Sequence, residues 1–306
     1  MPLLTQNKRL DGVTSATELF SKYSHLKDNA KIFRSKPPVT VDPKCLLYVQ
    51  QREFAVTTPA DGSVSVIGSD DATTCHLIVL RHTGSGATCL AHLDGSSTWS
   101  EVPLLVNSVT ALSNPAKAGR FELHLVGGFD DDKKTSHNLS CEILEAFQKQ
   151  KEEIHLETCC ITDMNDVVTN GIHRPIIYGL GVNVKTGEVF PAVFPHKGPV
   201  EDLRSARSFT GGQLVEVYDC SKGQVKIGPC SWPQTTDIAF WLDEDDKTIL
   251  QYMSTSPYAE PPHFVHHIKS TIRFLLENPN ADALFPEGQP QLFQRSEQGE
   301  WKRVCP

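Results

Sequence analysis

Cys75 and His92 are the side chains whose types and spacing best suit chemistry, because a thiol and an imidazole can work as a pair. A cysteine thiol with an ordinary pKa of about 8.5 is mostly protonated at neutral pH, and a neighbouring imidazole can accept its proton and stabilise the thiolate. We therefore predict that Cys75 is a nucleophile and His92 its base. The alternative is a buried thiol at the end of a strand and a hydrogen-bonded core histidine.

The elements that must position this pair are the two strands of a predicted β-hairpin. Strands at 75–82 and 87–92 flank a glycine-rich turn. With a loop of two or four residues, Leu77 faces His92, and the alternation of side chains places Cys75, Leu77 and His92 on one face. Diagonal neighbours on a sheet lie about 7–8 Å apart at the backbone, within reach of their side chains. A loop of three or five residues without a bulge would turn His92 to the other face, so the pair depends on this register.

Two further groups are needed for catalysis. The polar, bending segment from Gly68 to Thr74 precedes Cys75 and can supply backbone N–H groups to an oxyanion. The imidazole also needs a partner that fixes its tautomer and orientation, and Ser69 and Asp94 are the candidates. Asp94 is the stronger acceptor and would pair with Cys75 across the hairpin, on the same face. Residue chemistry alone leaves this choice open.

The chain as a whole is predicted to be one α+β domain over residues 1–306, with mostly antiparallel strands and a few packed helices. Residues 1–45 are predicted to be a helical N-terminal extension, because Ser15-Ala16-Thr17-Glu18 is a capping-box pattern before apolar residues at helical spacing. The helix at 136–151 is predicted to be capped by Thr135 or Ser136. Prolines are expected in the first turn of the helix at 261–277. The other predicted elements are helices at 200–209 and 244–253, a hairpin at 176–194, and strands at 46–50, 54–57, 64–67, 121–126, 154–162, 214–218, 224–227 and 301–304.

The composition excludes several classes of protein. The 306 residues are 39% hydrophobic and 22% charged, as in a globular protein, and we find no run of about 18 apolar residues that could span a membrane. Lys and Arg number 29 against 37 Asp and Glu, a net charge of −8, which argues against binding to nucleic acid or an anionic membrane.

The first nine residues meet charge too early for a secretory signal peptide, and Pro2 favours removal of the initiator methionine, so we expect a cytoplasmic protein. The nine cysteines, Cys305 included, are odd in number and scattered, which favours free thiols over a disulfide framework.

Several long strings of the sequence resemble one known family. The chain from about residue 46 to its C-terminus resembles the protein N-terminal asparagine amidohydrolases, the asparagine-specific deamidases of the N-degron pathway. Residues 1–45 add little to this resemblance. The strings that carry it are 47–53, 79–84, 125–129, Gly68-Ser69-Asp70-Asp71-Ala72-Thr73-Thr74-Cys75-His76 and Ser254-Thr255-Ser256-Pro257-Tyr258-Ala259-Glu260-Pro261-Pro262-His263-Phe264-Val265.

The resemblance implies a fold, a mechanism and a set of site residues. It implies an α-β-β sandwich shared with bacterial chemoreceptor glutamine deamidases and cytotoxic necrotizing factors, whose pattern of Cys, His and hydroxyl residue falls here on Cys75, His92 and Ser69. It therefore favours Ser69 over Asp94 as the orienting group. The implied reaction is acyl transfer through a thioester on Cys75, which releases ammonia and leaves aspartate without a metal or an organic cofactor. The implied partners are proteins or peptides with a free N-terminal asparagine, upstream of the arginylation and ubiquitylation machinery.

Specificity for a chain terminus needs a group that binds a free α-ammonium, and a carboxylate is the natural partner. Glu260, Asp70 and Asp71 lie in the family-like strings and are the candidates, with Thr74 as a further substrate contact. Each acid could instead be a solvated or helix-capping residue. With no dimer signature in the sequence, we expect a monomer.

Three rival interpretations are weaker. Cys230 before Trp232 is similar to a papain-type motif with His263 downstream, but it lacks the preceding cysteine and lies late in the chain. His263 and His267 are spaced i, i+4 as in helical metal sites, yet no acid completes a ligand motif. A non-catalytic peptide-binding module and a protein-glutamine deamidase on the same scaffold remain alternatives to the main hypothesis.

Overall fold

The computed structural model describes residues 3–234 and 237–304, so Pro2 and Cys305 lie outside the described residues. The α-helices are α1 (Ala16–Lys22), α2 (Ser24–Ser35), α3 (Thr98–Leu112), α4 (Thr135–Gln148), α5 (Glu201–Phe209), α6 (Asp246–Met253) and α7 (Phe264–Glu277). The strands are β1 (Leu3–Thr5), β2 (Lys8–Arg9), β3 (Val39–Thr40), β4 (Leu46–Tyr48), β5 (Glu53–Thr57), β6 (Val66–Ser69), β7 (His76–His82), β8 (Thr88–Leu93), β9 (Phe121–Gly127), β10 (Ile154–Ile161), β11 (Asp166–Thr169), β12 (Ile172–Pro175), β13 (Leu180–Asn183), β14 (Val189–Val193), β15 (Val215–Glu216), β16 (Tyr218–Asp219), β17 (Gln224–Ile227), β18 (Gln291–Arg295) and β19 (Trp301–Arg303).

The predicted hairpin lies in the middle of the largest sheet, whose order is β15-β5-β8-β7-β9-β10-β1-β2. Strands β7 and β8 pair antiparallel with Leu77 opposite His92 and Arg81 opposite Thr88. The predicted register is confirmed by this pairing. The N–H of His82 also donates to the carbonyl oxygen of Ala87, which leaves a loop of four residues, 83–86, inside the last hydrogen-bonded pair. Leu77 and His92 therefore share one face of the sheet.

Alternation along β7 separates two faces that are covered by different layers. His76 reaches α4, where its Nε2 lies 2.6 Å from Ser140 Oγ. Leu77 points the opposite way, and on its face His92 contacts Ser69 of a second sheet, ordered β3-β14-β13-β6-β4. The layers run helix, sheet, sheet, and both sheets are mixed. Antiparallel pairs outnumber parallel ones across the described strands, which confirms the predicted α+β class and its α-β-β arrangement. Within the described ranges, every helix is too short or too polar to cross a bilayer.

The N-terminal segment differs from the predicted helical extension. Ser15 caps α1 as predicted, accepting a hydrogen bond of 3.2 Å from the backbone N–H of Glu18. Ahead of this helix, however, β1 pairs parallel with β10 and extends the central sheet. The side chain of Leu3 is completely buried, so the segment contributes to the core and does not simply pack on it.

Two other predictions were wrong in detail, and one helix was not predicted. The sequence did not reveal α3, because Pro103 lies inside the helix and disfavours that assignment, although its apolar face is buried. Helix α4 is capped by Asp131, whose carboxylate accepts from the N–H groups of Thr135 and Ser136, and not by either predicted residue. Helix α7 begins at Phe264, so Pro261 and Pro262 precede its first turn.

Candidate active site

Cys75 and His92 line one cavity of about 460 Å³. Cys75 is partly exposed at the residue just before β7, and His92 is buried on β8. The Nδ1 atom of His92 lies 2.7 Å from Ser69 Oγ, within hydrogen-bonding distance. The other ring nitrogen, Nε2, is buried and has no hydrogen-bond partner in the described part of the chain. The imidazole is thus held at one nitrogen and left available at the other.

Asp94, the alternative orienting group, is engaged elsewhere. Its carboxylate accepts from Arg52 Nε at 2.6 Å, from Gln51 Nε2 at 2.7 Å and from the backbone N–H of Ser96 at 3.0 Å. The β7–β8 pairing also ends at His76 opposite Leu93, one step before Asp94. Asp94 therefore forms part of the cavity wall without a hydrogen bond to His92.

The second sheet positions Ser69. The residue ends β6, pairs with Leu180 of β13, and is completely buried. The hydrogen bond between Ser69 and His92 therefore joins the two sheets at the base of the cavity. Because both residues lie in regular strands, neither has much freedom to move away from the other.

The backbone of Cys75 rests against two glycines, the last residue of β9 and the one after it. The N–H of Gly128 donates to the carbonyl oxygen of Cys75 at 3.0 Å. A Cβ atom on Gly127 would lie 2.5 Å from that same oxygen, and Gly127 has a φ of 137°, which L side chains rarely adopt. Only glycine lets the two backbones come this close, so Gly127 and Gly128 fix the position of Cys75 just before β7.

Burial and charge set the ionisation of the pair. Burial, followed by the negative charges of Asp94 and Glu260, raises the pKa of the Cys75 thiol well above its usual value. Burial lowers the pKa of His92 to about 4. Both groups are therefore neutral at neutral pH, so the imidazole can accept a proton at Nε2.

Asp70 and Asp71 lie at the mouth of the cavity with different partners. The Asp70 carboxylate accepts from Tyr48 Oη at 2.6 Å, from the backbone N–H of Phe194 and from Lys197 Nζ. Burial and the neighbouring charge of Asp71 raise the pKa of Asp70. Although burial opposes it, the hydrogen bond from His263 and the charge of Lys197 lower the pKa of Asp71. Asp70 is fully engaged, and Asp71 bridges Lys197 and His263.

Glu260 is the least compensated of the candidate acids. It lines the cavity with Cys75, and its carboxylate accepts from Ser254 Oγ. Burial and the nearby charge of Asp71 raise its pKa to about 7. Its loop is fastened by Tyr178, whose hydroxyl donates to the carbonyl oxygen of Ala259 at 2.6 Å. A half-buried carboxylate with no basic hydrogen-bond partner in the described part of the chain is suited to bind a cation.

Thr74 contacts the same loop, with its Oγ1 atom 3.2 Å from Thr255 Oγ1. The hydroxyl therefore joins the segment before Cys75 to the loop that carries Glu260. Both threonines line the cavity.

The structure adds residues that the sequence interpretation missed. Lys197, which holds Asp70, and Gln50, Gln51 and Arg52 all line the cavity. The segment 50–52 is positioned by the buried Arg204, which binds the chain before and after it. Arg204 donates to the carbonyl oxygen of Tyr48 at 2.6 Å and to Glu53 Oε2 at 2.6 Å. Arg204 lies 151 residues from Glu53, so no local sequence pattern indicates that the two residues pair.

The rival sites do not assemble. Cys230 does not line this cavity, whereas His263 does. His263 and His267 instead lie beside Asp71 and Glu201, at 2.8 Å and 3.7 Å. Within residues 3–234 and 237–304, no group of three or more His, Cys, Asp or Glu side chains is arranged to hold a metal ion.

Comparison with known proteins gives a consistent result. Residues 36–303 match the model of a family described as protein N-terminal asparagine amidohydrolase. Proteins of that name from Mus musculus and Homo sapiens are 50% and 48% identical to this chain over 305 residues, covering 99% of this chain and 98% of theirs. A protein of the same name from Arabidopsis thaliana is 33% identical over 287 residues, covering 84% of this chain and 80% of its own.

Proposed function

The chain belongs to the family of protein N-terminal asparagine amidohydrolases, and on that basis we propose that it deamidates N-terminal asparagine through a thioester on Cys75. The overall reaction converts the side-chain amide of the first residue to a carboxylate and releases ammonia. The observation that carries the proposal is the hydrogen bond of 2.7 Å between Ser69 and His92, which leaves His92 Nε2 unpartnered in the cavity that Cys75 lines.

The first half of the reaction forms the thioester. His92 Nε2 takes the proton of the Cys75 thiol as the sulfur attacks the side-chain amide carbon of the substrate. The tetrahedral oxyanion then collapses, and the C–N bond breaks as His92 returns the proton to the departing nitrogen, which leaves as ammonia. For this to occur, Nδ1 must carry the other proton and donate it to Ser69 Oγ, so Ser69 selects the tautomer.

The second half hydrolyses the thioester. A water molecule loses a proton to His92 Nε2 and attacks the acyl carbon. The C–S bond breaks, the sulfur regains a proton from His92, and the substrate now begins with aspartate. Each half of the cycle returns His92 to its neutral form, and the second half restores the neutral thiol of Cys75; burial favours both of these forms.

We assign the α-ammonium of the substrate to Glu260, with Asp71 as its neighbour. Asp70 is engaged with Lys197 and Tyr48, so it supports this wall without a free oxygen for the substrate. Glu260 is one of the charges that raise the pKa of Cys75. An ammonium bound beside Glu260 offsets that charge and favours the thiolate, so a free N-terminus would assist the attack as well as binding.

The link to protein degradation rests on the family resemblance alone. A product that begins with aspartate would be a substrate for arginylation and then ubiquitylation in the N-degron pathway. On that basis we propose that the enzyme acts in the cytoplasm, upstream of those partners.

The proposal is tested by ammonia release from a short peptide that begins with free asparagine. The matched peptides begin with glutamine, begin with acetylated asparagine, or carry asparagine only internally, and the matched enzyme carries Cys75→Ala. We expect release from the free-asparagine peptide only, and its loss in Cys75→Ala. Release from glutamine peptides would favour a glutamine deamidase, and binding without release from any peptide would favour a non-catalytic module.

A further inference from the structure

A cavity of about 1070 Å³ adjoins the one that contains Cys75. We name it the downstream cavity and define it by Val193, Val200, Leu203, Phe274 and Leu284, with Asp202 at its rim. We propose that this cavity binds the residues of the substrate chain that follow the terminal asparagine, and that it selects apolar side chains there. This inference rests on the proposed function.

Continuity with the candidate active site is the first support. Asp71, Lys197, Glu260 and His263 line both cavities, whereas Cys75 and His92 line only the smaller one. The Asp71 carboxylate joins Lys197 on one side to His263 on the other, so a charged bridge forms the shared wall. The two cavities therefore meet at the acids that would bind the α-ammonium.

The branching of the first residue of the substrate is the second support. Three groups leave its α-carbon: the side chain, the ammonium and the carbonyl that continues the chain. If the side chain reaches Cys75 and the ammonium reaches Glu260, the α-carbon lies between them and close to the shared wall. An extended chain then advances about 3.3–3.6 Å per residue, so two or three residues fit in a space of this size.

The lining of the downstream cavity determines which side chains it favours. Val193, on β14, is 42% exposed, and Phe274 and Leu284, on other elements that line the cavity, are partly exposed. Burying an apolar side chain against them is favourable. The charged part of the lining includes Glu201 and Asp202, and Lys197 is the single lysine among the described lining residues. An acidic side chain in the substrate would therefore be repelled.

Phe209 and Met253 also line the smaller cavity, and neither of them lines the downstream cavity. A substrate chain that follows these two residues is the competing route in the test.

The test compares KM and kcat for two hexapeptides that begin with asparagine, one with Phe and Leu at the second and third positions and one with Asp at both. Asparagine amide is the substrate that cannot reach the downstream cavity. We expect a KM for the apolar peptide at least about 10-fold below that for the acidic peptide. Asparagine amide should show a similar kcat and the highest KM.

The variants then locate the effect. Val193→Asp should raise KM for the apolar peptide about 10-fold with little change in kcat, whereas Val168→Asp, at an exposed valine that lines neither cavity, should leave KM unchanged. Circular dichroism and thermal unfolding confirm that both variants are folded. Equal KM values for the two peptides, or an increase in KM from Met253→Asp and not from Val193→Asp, would overturn the inference. No ammonia from any substrate, asparagine amide included, would instead reject the proposed function.

Discussion

Ser69 offers His92 a hydroxyl where many cysteine and serine hydrolases use a carboxylate or amide. A carboxylate at this distance would favour the charged imidazolium, whereas a hydroxyl orients the ring without adding charge. The buried His92, with its pKa lowered to about 4, remains a neutral acceptor at neutral pH. The hydroxyl of Ser69 therefore orients the His92 ring, whereas burial lowers the proton affinity of that ring.

Removing that hydroxyl tests its role. We expect Ser69→Ala to lower kcat by roughly 10- to 100-fold with little change in KM, because the ring loses its orientation while substrate contacts remain. The matched control is Ser205→Ala, since Ser205 is also a buried serine that lines the cavity, but its Oγ donates to Gln50. A fall in kcat of the same size in both variants would show a general loss of packing instead.

Glu260 couples substrate binding to pH. Its pKa of about 7 means that the carboxylate is protonated as pH falls below 7, so KM should rise on the acid side and this dependence should vanish in Glu260→Gln. Loss of a charge-assisted contact should also raise KM roughly 10- to 100-fold at pH 8. The measurement is the pH profile of KM for a free-asparagine peptide, and an unchanged profile in Glu260→Gln would exclude Glu260 as the ammonium partner.

The same variant should have the opposite effect on stability. The pKa of Glu260 is raised in the folded state from 4.5 to about 7, so the protonated folded form is favoured and stability declines as pH rises between these values. Glu260→Gln should therefore increase the free energy of unfolding at pH 8, by up to about 3 kcal/mol, and not at pH 4. Glu216→Gln is the matched control, because Glu216 is an exposed glutamate outside the cavity, so this change should alter the free energy of unfolding by no more than about 0.5 kcal/mol at either pH. Denaturant unfolding at both pH values measures the effect.

Among the elements, the end of β9 and the turn after it help to hold Cys75 in place. Gly127 and Gly128 contact the backbone of Cys75 and His76 from the neighbouring strand, and Asn165 Nδ2 donates to the carbonyl oxygen of Gly128 at 2.8 Å. The position of Cys75 thus depends on three segments that are distant in sequence.

Gly127→Ala should displace Cys75. Its Cβ would lie 2.5 Å from the carbonyl oxygen of Cys75, so we expect lower kcat together with destabilisation of about 1–3 kcal/mol. Gly171→Ala is the control, because Gly171 also has a positive φ but its Cβ would meet no atom within 4 Å. It should lose stability while keeping kcat. Normal kcat in folded Gly127→Ala would contradict this role for the turn.

The elements also show what local sequence patterns can and cannot predict. The register of the β7–β8 hairpin follows from the turn length and side-chain alternation, both of which are local. The choice between Ser69 and Asp94 is not local, because Arg52, 42 residues away, engages Asp94. Asp70 is likewise engaged by Lys197, 127 residues away, which no spacing indicates. Catalytic roles for Cys75, His92 and Ser69 remain predictions.

For the whole molecule, the candidate site lies where the central sheet meets the sheet that carries Ser69, and the central sheet includes the N-terminal strand β1. Strand β1 pairs with β10 far from the cavity, yet it covers part of the central core. The segment that resembles the family least is therefore part of the main sheet.

Leu3→Ala tests this contribution. Because Leu3 is completely buried, we expect the free energy of unfolding to fall by about 2–5 kcal/mol, measured by denaturant titration. Leu104→Ala, at a leucine that is 39% exposed, should change it by no more than about 0.5 kcal/mol. Equal effects would mean that β1 adds nothing to the core.

The central claim is that the reaction passes through an acyl group on Cys75, and rapid acid quenching followed by mass spectrometry tests it most directly. The enzyme is mixed with a free-asparagine peptide, quenched within one turnover and digested. We expect the fragment that contains Cys75 to gain the mass of the peptide less one ammonia, and to lose that adduct with hydroxylamine as a thioester does. Aspartate product without any adduct on Cys75, or an adduct on another residue, would contradict the account.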